Sequence, residues 1–570
     1  MSESPWLMTR TVFTKFAIAY AVTMATVIAH AQAIANDGDA CFIATAHPKA
    51  TAAGCEILSK GGNAFDAAVA VTAALAVVEP YASGLGGGGF YLLHVGESNK
   101  DIFIDAREKA PMGITESAFL DDEGNPVKDK SREGALAAAI PGIPAAIGHL
   151  NRRYGALSLK VVLAPAISLA ENGLEIDTRF IRASNWVTDR LKRFHKTRDI
   201  FLKNGEIFES GDILIQRALA ETLRKISEQG ADAFYQGEIA EDLIATVNRH
   251  GGVWRAKDLS DYSVVEREPI KIQYRDSEIT SAPLPSSGGL VLAQALQILQ
   301  ELNFPETSGV PESHYVIEAM RLAYNDRARF MGDPDFSQIP VDTLKSGEYA
   351  FKRSRYVSNS ATKSADLPSV KNIAIEGEET THFSIVDGYG NYVAATLSVN
   401  GPFGSGLTSD NTGVLLNNHM DDFAIGVGKG NSYRLVGNSF NRVESGKRPL
   451  SSMSPTFVRS EKGLLVLGTP GGSRIITMVL LSTLCYVHDP QCDADKAVSI
   501  PRYHHQYLPD IVQAEPESFD QAWIESLENI GHKVEIYRRK WGNMQAIHCA
   551  PFGEDCRVAN DPRGRIGVVF

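Results

Sequence analysis

The 570-residue sequence predicts an α+β protein. Two observations carry that prediction. Helical patterns dominate from about Pro141 to Tyr356, and beyond Thr380 the periodicity changes to short alternating or apolar runs. The chain therefore reads as a helix-rich front and a strand-rich rear. Its length corresponds to about 3–4 domains or one large intimate architecture. A composition of 44% hydrophobic and 22% charged residues is that of a soluble globular protein. The formal net charge of -12, with no long basic run, argues against a nucleic-acid partner, which requires clustered Lys and Arg.

Taken in order, Arg10 and Lys15 precede an apolar stretch from Phe16 to Ala29, and Ala31-Gln32-Ala33 fits an A-x-A cleavage site. The apolar core is short against the ~20 residues of a spanning helix. Residues 1–33 thus read as a secretory signal, with an uncleaved anchor as the alternative, and the mature protein is expected to be periplasmic or secreted. Export also makes sense of six cysteines in three local couples: Cys41 with Cys55, Cys485 with Cys492, and Cys549 with Cys556. The sequence leaves connectivity open, and six separate buried thiols is the other reading. None has zinc-ligand spacing with histidines, so no metal is expected.

The segment Gly61 to Pro80 predicts a buried helix capped by Asn63 and ended by Pro80. A glycine run, Ser83-Gly84-Leu85-Gly86-Gly87-Gly88-Gly89, leads into the strand Phe90–Leu93. No Gly-Lys-Ser/Thr follows, so close backbone packing explains these glycines better than a phosphate loop. From about Ser354 to Glu379 the chain turns polar, as an exposed approach to Thr380.

Thr380 opens the run Thr380-Thr381-His382-Phe383-Ser384-Ile385-Val386, which breaks at Asp387–Asn391 and resumes from Tyr392 to Asn400. This reads as a β-hairpin. Centred on Tyr389, it sets Thr380 opposite Ser398 and puts Thr396, Ser398 and Asn400 on one face. Further strands are expected at Gly413–Leu416, Thr456–Val458 and Leu464–Leu467. The last runs into Gly468-Thr469-Pro470-Gly471-Gly472-Ser473-Arg474 and a helix start, a geometry that aims backbone N–H groups at one anionic point, or is simply a tight turn. Arg107, Ser451 and Ser452 are, alone, routine loop residues. Asp421-Asp422 reads as a cation site or an acidic turn, and His504-His505 as packing or hydrogen-bonding residues.

Taken together, these stretches resemble the γ-glutamyltransferase (γ-glutamyltranspeptidase) family over nearly the whole mature chain. The most specific are Thr380-Thr381-His382, Asn417-Asn418 through Asp421-Asp422-Phe423, Arg448 through Pro455, and Gly471-Gly472-Ser473-Arg474. The resemblance implies a four-layer αββα Ntn-hydrolase sandwich, made as a precursor that cuts itself between Glu379 and Thr380. The products would be a large subunit, 34–379, and a small subunit, 380–570, held as a heterodimer. Thr380 would be the nucleophile, activated by its own freed α-amine, whose ordinary pKa of ~7.7–8.0 suits proton exchange near neutrality. Ser398 takes the place of a second hydroxyl, usually threonine, and Gly471 and Gly472 supply the oxyanion hole. Arg107, Ser451 and Ser452 would meet the substrate α-carboxylate, while Asn400 and Asp422 would hold its α-ammonium. Residues 424–437, including Tyr433, resemble a lid loop. The implied substrates are glutathione or other γ-glutamyl compounds, with amino acids or peptides as acceptors, and no cofactor.

One position departs from the pattern. Where the family usually carries Gln or Glu before Met420, this chain has His419, whose imidazolium would repel an ammonium. Gly401-Pro402 also differ from the commoner polar pair. Two other functions therefore stand beside γ-glutamyl transfer. One is an acylase acting on glutaryl or similar amide side chains of β-lactams, which lack that ammonium. The other is a non-catalytic exported protein binding anions at its glycine turns.

Overall fold

Two six-stranded sheets organise the chain. In the first the order is Phe42–Thr45, Thr381–Val386, Tyr392–Ser398, Gly88–Val95, Lys100–Ala106 and Val265–Arg267. In the second it is Cys556–Asn560, Gln545–Cys549, Gly463–Gly468, Thr456–Ser460, Ser277–Ser281 and Ile270–Tyr274. Every neighbouring pair in both sheets is antiparallel. This computed structural model describes residues 41–306, 310–368, 380–426, 439–553 and 555–564. The expected signal, residues 1–33, lies outside them. No helix among the described residues is long and apolar enough to cross a membrane.

Each sheet takes strands from both sides of Thr380, so neither part of the chain forms a sheet by itself. Three strands, Val265–Arg267, Ile270–Tyr274 and Ser277–Ser281, interrupt the stretch read as helical. Ile270–Tyr274 alternates buried and exposed residues along its length, the signature of a half-covered strand. The expected strand Gly413–Leu416 is instead two isolated bridges, Leu415 to Thr408 and Leu416 to Gly86. Its two bridging residues face different partners, so no ladder can extend along either side.

The helix Ala64–Val78 forms where expected. The Asn63 side chain accepts from the amides of Phe65 and Asp66, and Asp66 returns a bond to the Asn63 amide, a complete capping box. All of its residues are buried. It packs on the strands Thr381–Val386 and Tyr392–Ser398. Alternate side chains of those strands enter different cores: Phe383, Ile385, Val393, Ala395 and Leu397 join this helix, while Ala394 joins Phe457, Val458 and Leu465–Leu467 of the second sheet. The helices Gly288–Glu301, Glu312–Phe330 and Arg474–His488 supply that second core from beyond. The three cysteine couples are all joined: Cys41–Cys55, Cys485–Cys492 and Cys549–Cys556.

Burial holds four histidines neutral. The pKa of His382 is pushed down to about 3, of His504 to about 3, of His505 to about 4 and of His532 to about 2, desolvation being the leading cause in each. An unfolded chain binds protons at these imidazoles from about pH 6.5 downward, whereas the folded chain does not. Their contribution to stability is therefore present above about pH 6.5 and is lost as pH falls toward 3. Urea midpoints measured from pH 8 to 4 are expected to fall below pH 6.5. A flat profile would contradict neutral burial.

Candidate active site

The hairpin has the expected register. Tyr392 pairs with Val386 and Leu397 with Thr381, so one further step sets Thr380 opposite Ser398. Thr380, His382, Ser384, Thr396 and Ser398 then share the face turned to the second sheet. His382 Nδ1 lies 2.8 Å from Thr396 Oγ1, and Ser384 Oγ donates to Val466 O at 3.4 Å and to Gln545 O at 3.2 Å. The opposite face is tied to the helix layer, where Thr381 Oγ1 donates to Glu79 Oε2 at 2.8 Å. Thr380 itself is only 7% exposed.

Facing these residues, Gly463–Gly468 runs past the hairpin. A Cβ added to Gly468 would lie 2.2 Å from His382 Cε1, so the imidazole occupies the space a side chain would need. Ser384 meets Val466 and His382 meets Gly468, the last residue of that strand, and the glycine turn follows it. Gly471 has φ 137 and Gly472 φ 58, backbone that glycine adopts without strain. The next residues begin the helix Arg474–His488. Among the described residues neither glycine amide donates to a protein acceptor.

The flank beyond Ser398 is charged and buried. Ser398 Oγ accepts from the Asn400 amide at 2.7 Å, and Asn400 stands at φ 78, a left-handed conformation costly for a non-glycine residue. Asn400 Nδ2 donates to Asn418 O at 3.0 Å, which leads directly to His419. His419 Nδ1 lies 2.7 Å from Glu108 Oε1, and its Nε2 lies 4.0 Å from Asp422 Oδ2. Arg107 pairs with Asp422 and donates through Nε to Pro449 O at 3.1 Å and through Nη2 to Leu450 O at 3.2 Å. Ser451 and Ser452 follow, both nearly buried. The Ser451 amide donates to Pro285 O at 2.9 Å, and Arg327 Nη2 donates to Ser452 Oγ at 3.0 Å.

Arg107 Nη1 and both oxygens of Glu108 are buried without a hydrogen bond. Their charges are nonetheless paired, Arg107 Nη1 lying 3.6 Å from Glu108 Oε2 and His419 Nδ1 2.7 Å from Glu108 Oε1. Glu108 was missed from sequence although it adjoins Arg107. Its signal is indirect: Gly88 must be glycine because a Cβ there would lie 2.4 Å from Glu108 Oε2. Gly86, Gly87 and Gly89 are likewise close to backbone, with a Cβ at Gly87 2.3 Å from Ser398 O, one at Gly86 2.1 Å from Leu415 O and one at Gly89 2.5 Å from Thr396 O.

Other candidates fall elsewhere. Glu379 and Tyr433 lie outside the described residues. His504 Nδ1 bonds Thr477 Oγ1 at 2.9 Å and His505 Nε2 reaches Asp510 at 3.2 Å, hydrogen-bonding roles as expected. His314, Glu318 and His532 converge with metal-like spacing. Their lone pairs are engaged, however. Arg321 Nη2 donates to His532 Nδ1 at 3.4 Å, His532 Nε2 lies 2.8 Å from His314 Nδ1, and His314 Nε2 lies 2.8 Å from Ser358 O. That chain fixes both imidazoles as neutral tautomers and gives Glu318 an arginine partner at 3.1 Å.

With the geometry in hand, the comparisons are consistent with one another. The gamma-glutamyltranspeptidase family profile matches residues 50–569. The chain is 38% identical to the glutathione hydrolase proenzyme of Pseudomonas sp. (strain A14), covering 98% of this chain and 99% of that one. It is 40% identical to the glutathione hydrolase proenzyme of Escherichia coli (strain K12), covering 92% and 90%. Among solved structures, cephalosporin acylase from Bacillus halodurans superposes with a TM-score of 0.79 at 28% identity, covering 92% and 94%.

The contact between the sheets at this site is testable. Gly468→Ala should drive a methyl group into the His382 ring and lower stability by about 1–3 kcal/mol, the range for overpacking. An unchanged urea midpoint would refute that contact.

Proposed function

The chain belongs to the γ-glutamyltranspeptidase family, and from that premise we propose that it is a self-cleaving γ-glutamyltransferase and glutathione hydrolase. The observation that carries this reading is a buried Thr380 that opens its strand opposite Ser398, on the face turned to the strand that runs into the Gly471-Gly472 turn. A threonine hydroxyl is a weak nucleophile at neutral pH and needs a base. Scission of the Glu379–Thr380 bond frees an α-amine on the same residue and supplies that base. The proenzyme names of both relatives support such processing. The products are a large subunit, 34–379, and a small subunit, 380–570, in a four-layer αββα arrangement. Strands from both subunits share each sheet, interleaved in the first and joined at one seam in the second, which holds the cleaved pair together.

In the reaction the Thr380 hydroxyl attacks the γ-carbonyl and passes its proton to the α-amine. The amides of Gly471 and Gly472 stabilise the oxyanion, and the amine leaves with a proton. The γ-glutamyl ester on Thr380 is then taken by water or by an acceptor amine. Arg107, with Ser451 and Ser452, holds the α-carboxylate. Asn400 and Asp422 receive the α-ammonium, with Glu108 close behind. Binding the zwitterion separates the Arg107–Asp422 pair and gives each charge a substrate partner. The expected lid, residues 424–437 with Tyr433, lies largely outside the described residues. Export to the periplasm or beyond is supported by the three disulfides.

A second reading, cleavage of glutaryl-type amides of β-lactams, is favoured by one residue. His419 stands where an ammonium acceptor is usual, and the acylase superposition is close. Turnover of γ-glutamyl and glutaryl anilides separates the two: preference for the glutaryl compound would overturn the first.

Thr380→Ala should leave one intact polypeptide on a denaturing gel and abolish γ-glutamyl release. Activity in that variant, or an uncut active wild type by N-terminal sequencing, would sink the mechanism. Glutamine restores a neutral acceptor at this position, so His419→Gln should lower KM for γ-glutamyl substrates. An unchanged KM would show that His419 does not touch ammonium recognition.

A further inference from the structure

Residues 451–454 are held from behind by two elements that have no part in the reaction above. One is the loop of residues 283–289. The Ser287 amide and Ser287 Oγ both donate to Ser451 O at 2.8 Å, and Pro285 O accepts from the Ser451 amide at 2.9 Å. The two segments fit closely, since a Cβ added to Gly288 would lie 2.3 Å from Ser454 Oγ and 2.7 Å from Met453 O. The other element is the helix Glu312–Phe330, which carries Arg327 in its last turn.

Arg327 is buried and ties both segments together. Its Nε donates to Ser287 Oγ at 2.8 Å and its Nη2 donates to Ser452 Oγ at 3.0 Å. A guanidinium has five N–H donors in a rigid plane and no acceptor. Each serine oxygen must therefore accept from it, and each hydroxyl proton must point elsewhere. For Ser287 the proton goes to Ser451 O. The Ser452 proton is likewise turned off Arg327. Ser451 Oγ accepts from the Met453 amide at 3.2 Å, so its proton too lies on the side away from that amide.

A serine whose oxygen accepts from the protein offers its proton, and a carboxylate is an acceptor only. We propose that Arg327 is a positioning residue for the substrate α-carboxylate. By donating to Ser452 Oγ it makes that hydroxyl a donor aimed at the carboxylate, and so favours substrates that carry one. Without Arg327 the Ser452 hydroxyl is free to rotate its proton to a protein carbonyl and to present a lone pair to the anion, which costs affinity. Arg327 acts through Ser452. The inference rests on the γ-glutamyl reading above.

The test is a double-mutant cycle read with two substrates: a γ-glutamyl anilide, and the 4-aminobutanoyl anilide, which keeps the ammonium and lacks the α-carboxylate. Arg327→Gln is uncharged and offers Ser452 an acceptor as well as a donor. It should raise KM for the γ-glutamyl anilide about tenfold with kcat within about twofold, as losing one hydrogen bond to a charged group does. For the 4-aminobutanoyl anilide, kcat/KM should stay within about twofold. Arg327→Lys remains donor-only and should recover part of the loss. In a Ser452→Ala background neither change should raise KM further, because the group through which Arg327 acts is gone. Additive losses in the cycle, an equal fall on both anilides, or an unchanged KM in Arg327→Gln would overturn the proposal while leaving γ-glutamyl transfer intact. If Arg327→Gln does not fold, Arg327→Lys with Ser452→Ala completes the same cycle under the same criterion. A wild type without turnover of the γ-glutamyl anilide would overturn that reading and this role with it.

Discussion

The contact that the site depends on is the close approach of the two sheets where His382 sits over Gly468. It fixes how the hairpin is set against Gly463–Gly468, the strand that runs into the glycine turn. The imidazole can serve there because burial keeps it neutral, with a pKa pushed down to about 3. A charged ring between the sheets would carry a desolvation cost that Thr396 and Ser384 could not offset. The polar row is thus a spacer of fixed thickness, bonded within its own sheet and to the carbonyls of Val466 and Gln545.

Beyond that row, the charged flank carries its own compensation. Arg107 and Asp422 neutralise each other, and the carbonyls of Pro449 and Leu450 hold the guanidinium in place. Glu108 adds a further pairing, with Arg107 Nη1 at 3.6 Å and His419 Nδ1 at 2.7 Å.

Local features were readable where one short segment held all the information. The Asn63 cap and its helix, the hairpin centred on Tyr389, and the strand into the Gly471-Gly472 turn each depend on neighbours a few residues apart. Three strands between Val265 and Ser281 were not read, because their short alternation lay inside a long helical stretch. Gly413–Leu416 looked like a strand by composition, yet its pairing required Gly86 and Thr408, which nothing local announces. Glu108 escaped notice because its importance is set by His419 and Gly88, distant in the chain.

The sequence by itself determined which residues could form a nucleophile, a turn of free amides and a set of charged partners, since those are properties of residue type and local period. It also determined that Thr380 and Ser398 face each other, because the register of a tight hairpin is fixed by its turn. Only the tertiary structure decided that His382 meets Gly468 of the other sheet and that Arg107 meets Asp422 from more than 300 residues away. The physical reason is that sheet-to-sheet packing relates residues through space by side-chain volume and backbone clearance, and no local pattern encodes which distant strand will supply them.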